Sequence, residues 1–281
     1  MAIRPNCIRA ARAWISPTPA RSCEGTKMSF KSSAVMITGS AGGIGGAVAE
    51  AFAREGARLA LIDTRANAEQ ATRLQALGAE VLEHPADVRD ARALSAAVEA
   101  MLAAYGRIDV LVTAAGVISS GPAEAIAEDE WQRVIGINLT GTFLSCQAVM
   151  PAMRRQRYGR IVTLGSLVAR NGGNARPWID RAEITRASNA AYGASKGGVH
   201  ALTMFLAKDL AADGVTVNAV APGPVATSML ADYPQALKQL IPIGRMMNAA
   251  EVAAAILFLA RPDSAAITGE ILDINGGVAM G

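Results

Sequence analysis

Tyr192 and Lys196 stand four residues apart in Tyr192-Gly193-Ala194-Ser195-Lys196, at the start of an amphipathic stretch. On a helix that spacing puts both side chains on one face. A free phenol has a pKa of roughly 10 and is a poor base at neutral pH. An ammonium one turn away stabilises the phenolate and draws that value toward the working range, giving a proton donor and acceptor. Far upstream, Thr38-Gly39-Ser40-Ala41-Gly42-Gly43-Ile44-Gly45 follows the apolar run Ala34-Val35-Met36-Ile37. Gly39 permits a tight turn out of a strand. Gly43 and Gly45 let backbone approach a pyrophosphate and let the next helix pack on the sheet, with free N–H groups and the helix dipole facing the phosphates. A proton-transferring phenol and a dinucleotide cradle together point to hydride transfer between a nicotinamide and an alcohol or carbonyl.

Asp63 closes the next strand, 18 residues beyond Gly45. A carboxylate there accepts hydrogen bonds from adenosine ribose hydroxyls and repels a 2′-phosphate, so NAD is expected over NADP. Arg65 is the nearby group that could favour a phosphate. Gly193-Ala194-Ser195-Lys196-Gly197 also fits a G-x-S-x-G hydrolase elbow. That elbow needs a buried strand before the serine and a later acid and histidine. The preceding Ala187-Ser188-Asn189-Ala190-Ala191 is small and polar, and the last histidine, His200, follows by only five residues.

The elements that must position these groups alternate. Val35-Met36-Ile37 leads to a helical pattern over Ala47–Arg54, Leu59–Ile62 to Ala66–Leu77, and Glu80–Leu82 to Ala91–Ala104. Ile108–Val112 is a further buried strand, followed by helices over Glu128–Ile137 and Leu139–Arg155. Ile161–Leu164, a helix over Tyr192–Ala212, Val215–Val220, a helix over Glu251–Leu259 and Ile271–Ile274 complete the series. Short continuous apolar strands separated by helices predict an α/β fold, a doubly wound, Rossmann-like parallel sheet with helices on both faces. No repeat or linker divides residues 28–281, which reads as one catalytic domain.

Composition narrows the function classes. With 281 residues and 51% hydrophobic content the chain can bury a large core. No apolar run approaches the ~20 residues that span a bilayer. Cys7, Cys23 and Cys146 lack metal spacing and cannot all pair, which suits a reducing compartment such as the cytoplasm. Two histidines, His84 and His200, make a histidine metal site improbable. The formal charge of +3 is concentrated in residues 1–27, at +4, leaving the rest at −1 with no footprint for nucleic acid. Residues 1–27 are rich in Arg, Ser and Thr. They read as a disordered extension, as the product of a start upstream of Met28, or as a mitochondrial-type targeting peptide, which would place the protein in the matrix.

Taken together, these motifs resemble the short-chain dehydrogenase/reductase family in its single-domain form, over nearly all of Met28–Gly281. The T-G-x-x-x-G-x-G turn matches at Thr38–Gly45, so Gly39, Ser40, Gly43, Ile44 and Gly45 are expected at the cofactor. Asp87 matches the family's adenine-contacting acid and is followed by Val88. Thr113-Ala114-Ala115-Gly116 stands where the family has N-A-A-G, placing Ala114 and Gly116 beside the cofactor. Asn138 in Ile137-Asn138-Leu139-Thr140-Gly141 and Ser166 in Leu164-Gly165-Ser166 match two catalytic positions. Pro222-Gly223-Pro224-Val225-Ala226-Thr227 matches the segment beside the nicotinamide, with Pro222, Gly223, Val225 and Thr227 in contact. Ile267–Glu270 and Asp273–Gly277 resemble the C-terminal strand region. The resemblance implies that Tyr192 exchanges the proton with the substrate oxygen and that Ser166 orients that oxygen. Lys196 would lower the tyrosine pKa and hold the nicotinamide ribose, and Asn138 would support a water relay from Lys196. It also implies a homotetramer, with helices near 139–155 and 192–212 at one interface.

Two departures stand out. Thr113 replaces an asparagine and alters a sheet-stabilising hydrogen bond. Ser166 and Tyr192 are 26 residues apart, where the family pattern has about half that. The excess lies in Gly172–Ser188, read either as a substrate lid or as a solvent-exposed or subunit-contact insertion. Met229–Met247, with Leu230, Tyr233, Leu237, Leu240, Ile241, Met246 and Met247, reads as an apolar flap over the cleft or as packing. The expected reaction interconverts a secondary alcohol and a ketone with NAD(H). The alternatives are a 3-oxoacyl-thioester reductase and a non-catalytic NAD-binding regulator.

Overall fold

Strands whose residues are apolar on both sides must be covered on both sides, and this governs the architecture. A computed structural model of the chain describes residues 30–173, 176–177, 179, 181–230 and 235–279, apart from the side chains of Arg181 and Arg186. The extension expected over residues 1–27 lies outside them, as do Trp178 and Asp180 of the insertion and Tyr233 of the flap. In chain order the elements are β1 (Ala34–Thr38), α1 (Gly43–Arg54), β2 (Arg58–Asp63), α2 (Ala68–Ala76), β3 (Val81–Pro85) and α3 (Ala91–Tyr105). Next come β4 (Val110–Thr113), α4 (Glu128–Ile135), α5 (Gly141–Gln156), β5 (Gly159–Leu164), α6 (Val168–Asn171) and α7 (Arg181–Arg186). The series ends with α8 (Ala190–Leu210), β6 (Val215–Pro222), α9 (Gln235–Lys238), α10 (Ala249–Ala260) and β7 (Ile271–Ile274).

The strands form one parallel sheet in the order β3-β2-β1-β4-β5-β6-β7. The order reverses between β1 and β4, and the carboxyl ends of the strands open a crevice at that switch point. Alternation within each strand divides the core. Val35 and Ile37 of β1 point to the face covered by α1, α2 and α10, while Ala34 and Met36 point to the face covered by α3, α5 and α8. Phe52 of α1 is fully buried and meets Phe30 edge-on at 4.8 Å between centroids. A side chain of that size contributes about 1.5–3 kcal/mol through burial.

The two helices expected over Glu128–Ile137 and Leu139–Arg155 are one. A π-helical turn, Gly136–Thr140, joins α4 to α5. The combined helix is 29 residues long and apolar enough to cross a membrane by length and composition alone. Its α5 portion packs on β4, β5 and α3. The expected β3 slides from Glu80–Leu82 to Val81–Pro85, and α1 begins at Gly43, four residues before its apolar periodicity does.

Candidate active site

The cradle is built by what glycine lacks. Gly39 has φ +67°, and a Cβ there would come within 2.5 Å of the Ala115 backbone; a Cβ on Gly45 would collide with the Gly39 carbonyl. These two glycines let the turn fold against the end of β4 and against α1. Gly43 differs: its φ is +55°, yet among the described residues outside its chain neighbours a Cβ there would meet only the Thr227 methyl, at 3.9 Å. The backbone therefore approaches an open gap with Thr227 on its far side. α2, α3, α8 and α10 are capped by Asn67, Asp90, Asn189 and Asn248, but α1 has Gly42 at its cap position and no side-chain cap. A first turn without a capping side chain, beside an open gap, suits a pyrophosphate.

The loop is held from the β2 side. Asp63 Oδ2 accepts from the Ala41 N–H at 3.0 Å, Gln70 Nε2 donates to the Ser40 carbonyl at 2.7 Å, and Asn67 Nδ2 donates to the Ala41 carbonyl at 3.1 Å. Gln70 and Asn67 were not legible as loop supports from the sequence. Asp63 is half-buried, and its second oxygen is 3.4 Å from the Thr64 hydroxyl, a contact at the weak end of the range. Asp87 forms a bidentate pair with Arg89, whose guanidinium holds its pKa below the usual value. Val88 is buried and faces Gly141, where a Cβ would come within 2.5 Å of its methyl. Val225 is likewise buried in the core with Met247. At these two positions only the backbone is left to meet a ligand. Ile44 and Ala114 are partly buried against the same core.

Four residues expected to carry the chemistry converge at the ends of β4 and β5. A Cβ on Gly116 would lie 3.4 Å from Asn138 Oδ1 and 3.7 Å from Lys196 Nζ, so this glycine marks their meeting point. Asn138 is fully buried in the π-helical turn, a type of bulge frequent at functional sites. Its Oδ1 accepts from the Val117 N–H at 2.8 Å, and its Nδ2 donates to the Val117 carbonyl and to Ser195 Oγ, both at 3.0 Å. Ser195 Oγ in turn donates to the Tyr192 carbonyl at 2.8 Å. The serine of the apparent hydrolase elbow is therefore a buried helix residue tying Asn138 to the turn that carries Tyr192.

Lys196 is buried, and Nζ donates to the Leu164 carbonyl at 2.6 Å while lying 5.9 Å from the centre of the Tyr192 ring. Burial pulls its pKa down to about 8. The Ser166 hydroxyl hydrogen-bonds the Tyr192 phenol, which favours the phenolate, but burial is the larger effect and raises the tyrosine pKa. This corrects the expectation from spacing alone, because the lysine loses solvation in the same pocket that buries the phenol. In the protein by itself the Tyr192 phenol therefore keeps its proton at neutral pH. Asn189, the cap of α8, accepts from the Tyr192 N–H at 3.2 Å and donates to Ser119 Oγ at 2.7 Å, anchoring the start of that helix.

His200 is one more turn along α8, also buried. Its Nε2 accepts from the Ser166 N–H at 3.4 Å, and a Cβ on Gly165 would collide with the same nitrogen. Burial, then the charges of Arg170 and Lys196, lower its pKa to about 4, so the imidazole is neutral and available as an acceptor. The spacing of Tyr192, Lys196 and His200 at intervals of four was the signal in the sequence.

Ser166 and Tyr192 open into a cleft that is partly open to solvent. Pro222 and Gly223 form its floor beside them. Met229, Leu230, Leu237, Leu240 and Ile241 of the expected flap line one wall, while Asn171, Gly173 and Ser188 at the ends of the insertion line another. Met247 is instead a core residue. The insertion is pinned where it rejoins the fold: Ser188 bridges Ser120, and the Asn189 N–H donates to the Ser119 carbonyl at 3.0 Å. Within it the Arg176 guanidinium grips Glu183 at 2.7 and 2.9 Å. Thr113 Oγ1 is buried without a hydrogen-bond partner, so the asparagine-to-threonine departure leaves an unsatisfied hydroxyl in the sheet. Among the described residues no cluster of His, Cys, Asp and Glu could hold a metal ion.

Residues 39–279 match the family model described as Enoyl-(Acyl carrier protein) reductase. The chain is 40% identical over 253 residues to D-threitol dehydrogenase of Mycolicibacterium smegmatis, covering 87% of this chain and 92% of that one. It is 36% identical over 259 residues to 3-oxoacyl-(acyl-carrier-protein) reductase FabG of Escherichia coli, covering 90% and 100%. The crystal structure of gox2181 superposes with a TM-score of 0.81 at 31% identity, covering 89% of this chain and 97% of that one. With a parallel sheet in this order and matches over nearly the whole described chain, the protein is an oxidoreductase-type member of the short-chain dehydrogenase/reductase family.

Proposed function

We propose that this protein transfers a hydride between NAD(H) and a secondary alcohol or ketone. The observation that carries the reading is the convergence of Asn138, Ser166, Tyr192 and Lys196 where the dinucleotide crevice meets the cleft. When bound, the nicotinamide supplies or accepts the hydride. Tyr192 donates the proton to the substrate oxygen in reduction and takes it back in oxidation. Ser166, held by its hydrogen bond to Tyr192 and backed by His200, orients that oxygen. Lys196 holds the ribose and carries positive charge beside the phenol, and Asn138 fixes the turn through which protons reach Lys196. Gly43, Thr227 and the start of α1 hold the pyrophosphate. Asp63 receives the ribose hydroxyls and favours NAD over NADP.

A 3-oxoacyl-thioester reductase is the second reading, favoured by the likeness to the FabG protein. A non-catalytic NAD-binding regulator is disfavoured, because sensing needs no buried phenol beside a lysine. We propose further that the protein is a homotetramer working in a reducing compartment. Phe143 on α5 and Met204 and Phe205 on α8 are exposed apolar residues on the two helices expected at one interface. The test is nicotinamide absorbance with NAD or NADH and a panel of alcohols and ketones. Tyr192→Phe should lower turnover about 100-fold or more while NAD still binds. Turnover near the wild-type level in that variant would remove Tyr192 from the role.

A further inference from the structure

The cleft beside Ser166 and Tyr192 contains, among the described residues that line it, no charged side chain. Its polar side chains are few: Ser166 and Tyr192, both committed to the reacting oxygen, and Asn171 and Ser188 on the insertion side. Asn171 is partly committed as well, since its Oδ1 accepts from the Gly173 N–H at 3.0 Å. Three guanidinium groups on the segments that border it are already paired. Arg170 is bound to Asp273 at 3.1 Å, Arg176 to Glu183 at 2.7 Å and Arg245 to Glu251 at 2.7 Å. Met229, Leu230, Leu237, Leu240 and Ile241 add hydrocarbon and thioether to the lining.

We infer that the substrate is an uncharged secondary alcohol or ketone with an apolar chain or ring on one arm, lying against the flap wall, and a short arm toward Asn171 and Ser188. This rests on the hydride-transfer reading above and specifies its substrate. A carboxylate or phosphate would meet no cation among the described residues that line the cleft. A polyol would bury several hydroxyls where Asn171 and Ser188 are the uncommitted polar side chains among the described lining residues, and each unpaired hydroxyl lowers affinity about 10-fold or more. A methylene moved from water onto the flap wall raises affinity roughly fourfold, the equivalent of about 0.8 kcal/mol. On this basis the chain differs in substrate from its relative named for D-threitol.

The test measures kcat/KM with NADH for 2-alkanones of about four to about ten carbons and for acetophenone; each methylene is expected to add roughly fourfold until the wall is covered. Threitol and 3-hydroxybutyrate with NAD, and 3-oxobutyryl-N-acetylcysteamine with NADH, complete the panel. The expected result is a rising series carried mainly by KM, with threitol and hydroxybutyrate at least 100-fold poorer than the best alcohol. Leu237→Gln should flatten the series, lowering the gain per methylene well below fourfold. A flat or falling series, or a preference for threitol, hydroxybutyrate or the thioester, overturns the substrate class and leaves hydride transfer standing. Absence of nicotinamide turnover with every compound would overturn the hydride-transfer reading and this inference with it.

Discussion

Lys196→Met is expected to stabilise the cofactor-free protein while abolishing its chemistry. The ammonium is 3% exposed, makes one hydrogen bond, to the Leu164 carbonyl, and takes part in no ion pair among the described residues. Burial lowers its pKa from 10.5 to about 8. At neutral pH the group is still charged in both states, and a depression of that size corresponds to roughly 3 kcal/mol of lost folding free energy. Methionine fills the same slot without charge. Leaving the Leu164 carbonyl without its donor returns about 1–2 kcal/mol of that gain. A net stabilisation of about 1–2 kcal/mol at pH 7 follows. In the unfolded chain the lysine keeps its proton up to about pH 10.5, whereas in the folded protein it loses it near 8. Between those values the unfolded state binds more protons, so wild-type stability rises with pH and the advantage of the variant shrinks. Urea unfolding of both proteins at about pH 7 and about pH 10 reads this directly, because titrating groups distant from Lys196 cancel in the difference. A variant less stable than wild type at pH 7, or a gap indifferent to pH, would refute the reasoning.

Gly165→Ala drives a methyl into the His200 imidazole, so it should cost about 1–3 kcal/mol and reduce turnover by shifting Ser166. Adding His200→Ala should recover part of that stability; strict additivity in the double-mutant cycle would refute the packing argument. Thr113→Val removes a buried hydroxyl that has no partner and should raise Tm, the equivalent of up to about 1 kcal/mol; a lower Tm would show that the hydroxyl is satisfied. Asp63→Ala should erode an NAD preference of about 10- to 100-fold, measured as kcat/KM for NAD and NADP, chiefly by weakening NAD. A wild-type protein that prefers NADP would overturn the cofactor assignment.

Sequence reading succeeded where backbone dictates residue type. The glycine turn was legible because Gly39 and Gly45 occupy places no side chain can enter, and the sheet was legible because its strands are apolar on both faces. It succeeded at Tyr192 and Lys196 because helical spacing is arithmetic. It failed where burial decides. Spacing indicated a tyrosine pKa lowered by lysine, but the pocket that brings the two together desolvates both. Asn138 was found by motif, while the π-helical turn that holds it leaves no trace in periodicity over so few residues. Ser195 looked like part of a hydrolase pattern, and its bridge between Asn138 and Tyr192 depends on a contact 57 residues apart in the chain. Asp87 and Val88 were located in the right loop, but the ion pair with Arg89 and the packing on Gly141 needed coordinates.

The pinned ends of the insertion give the chain a graft junction. The segment leaves at Gly173, held by Asn171, and rejoins at Ser188 and Asn189, tied to the strand-end loop at Ser119 and Ser120. Closing a longer loop between fixed ends adds only about 0.6 kcal/mol per doubling of its length. Residues between the pins are therefore free to lengthen, shorten or be exchanged while Ser166 and Tyr192 keep their separation. In evolutionary terms the scaffold uncouples a segment that borders the cleft from the residues gathered at the ends of β4 and β5. New specificities can be tried by insertion and deletion at one seam, and an engineer can cut and rejoin the chain at the same two points.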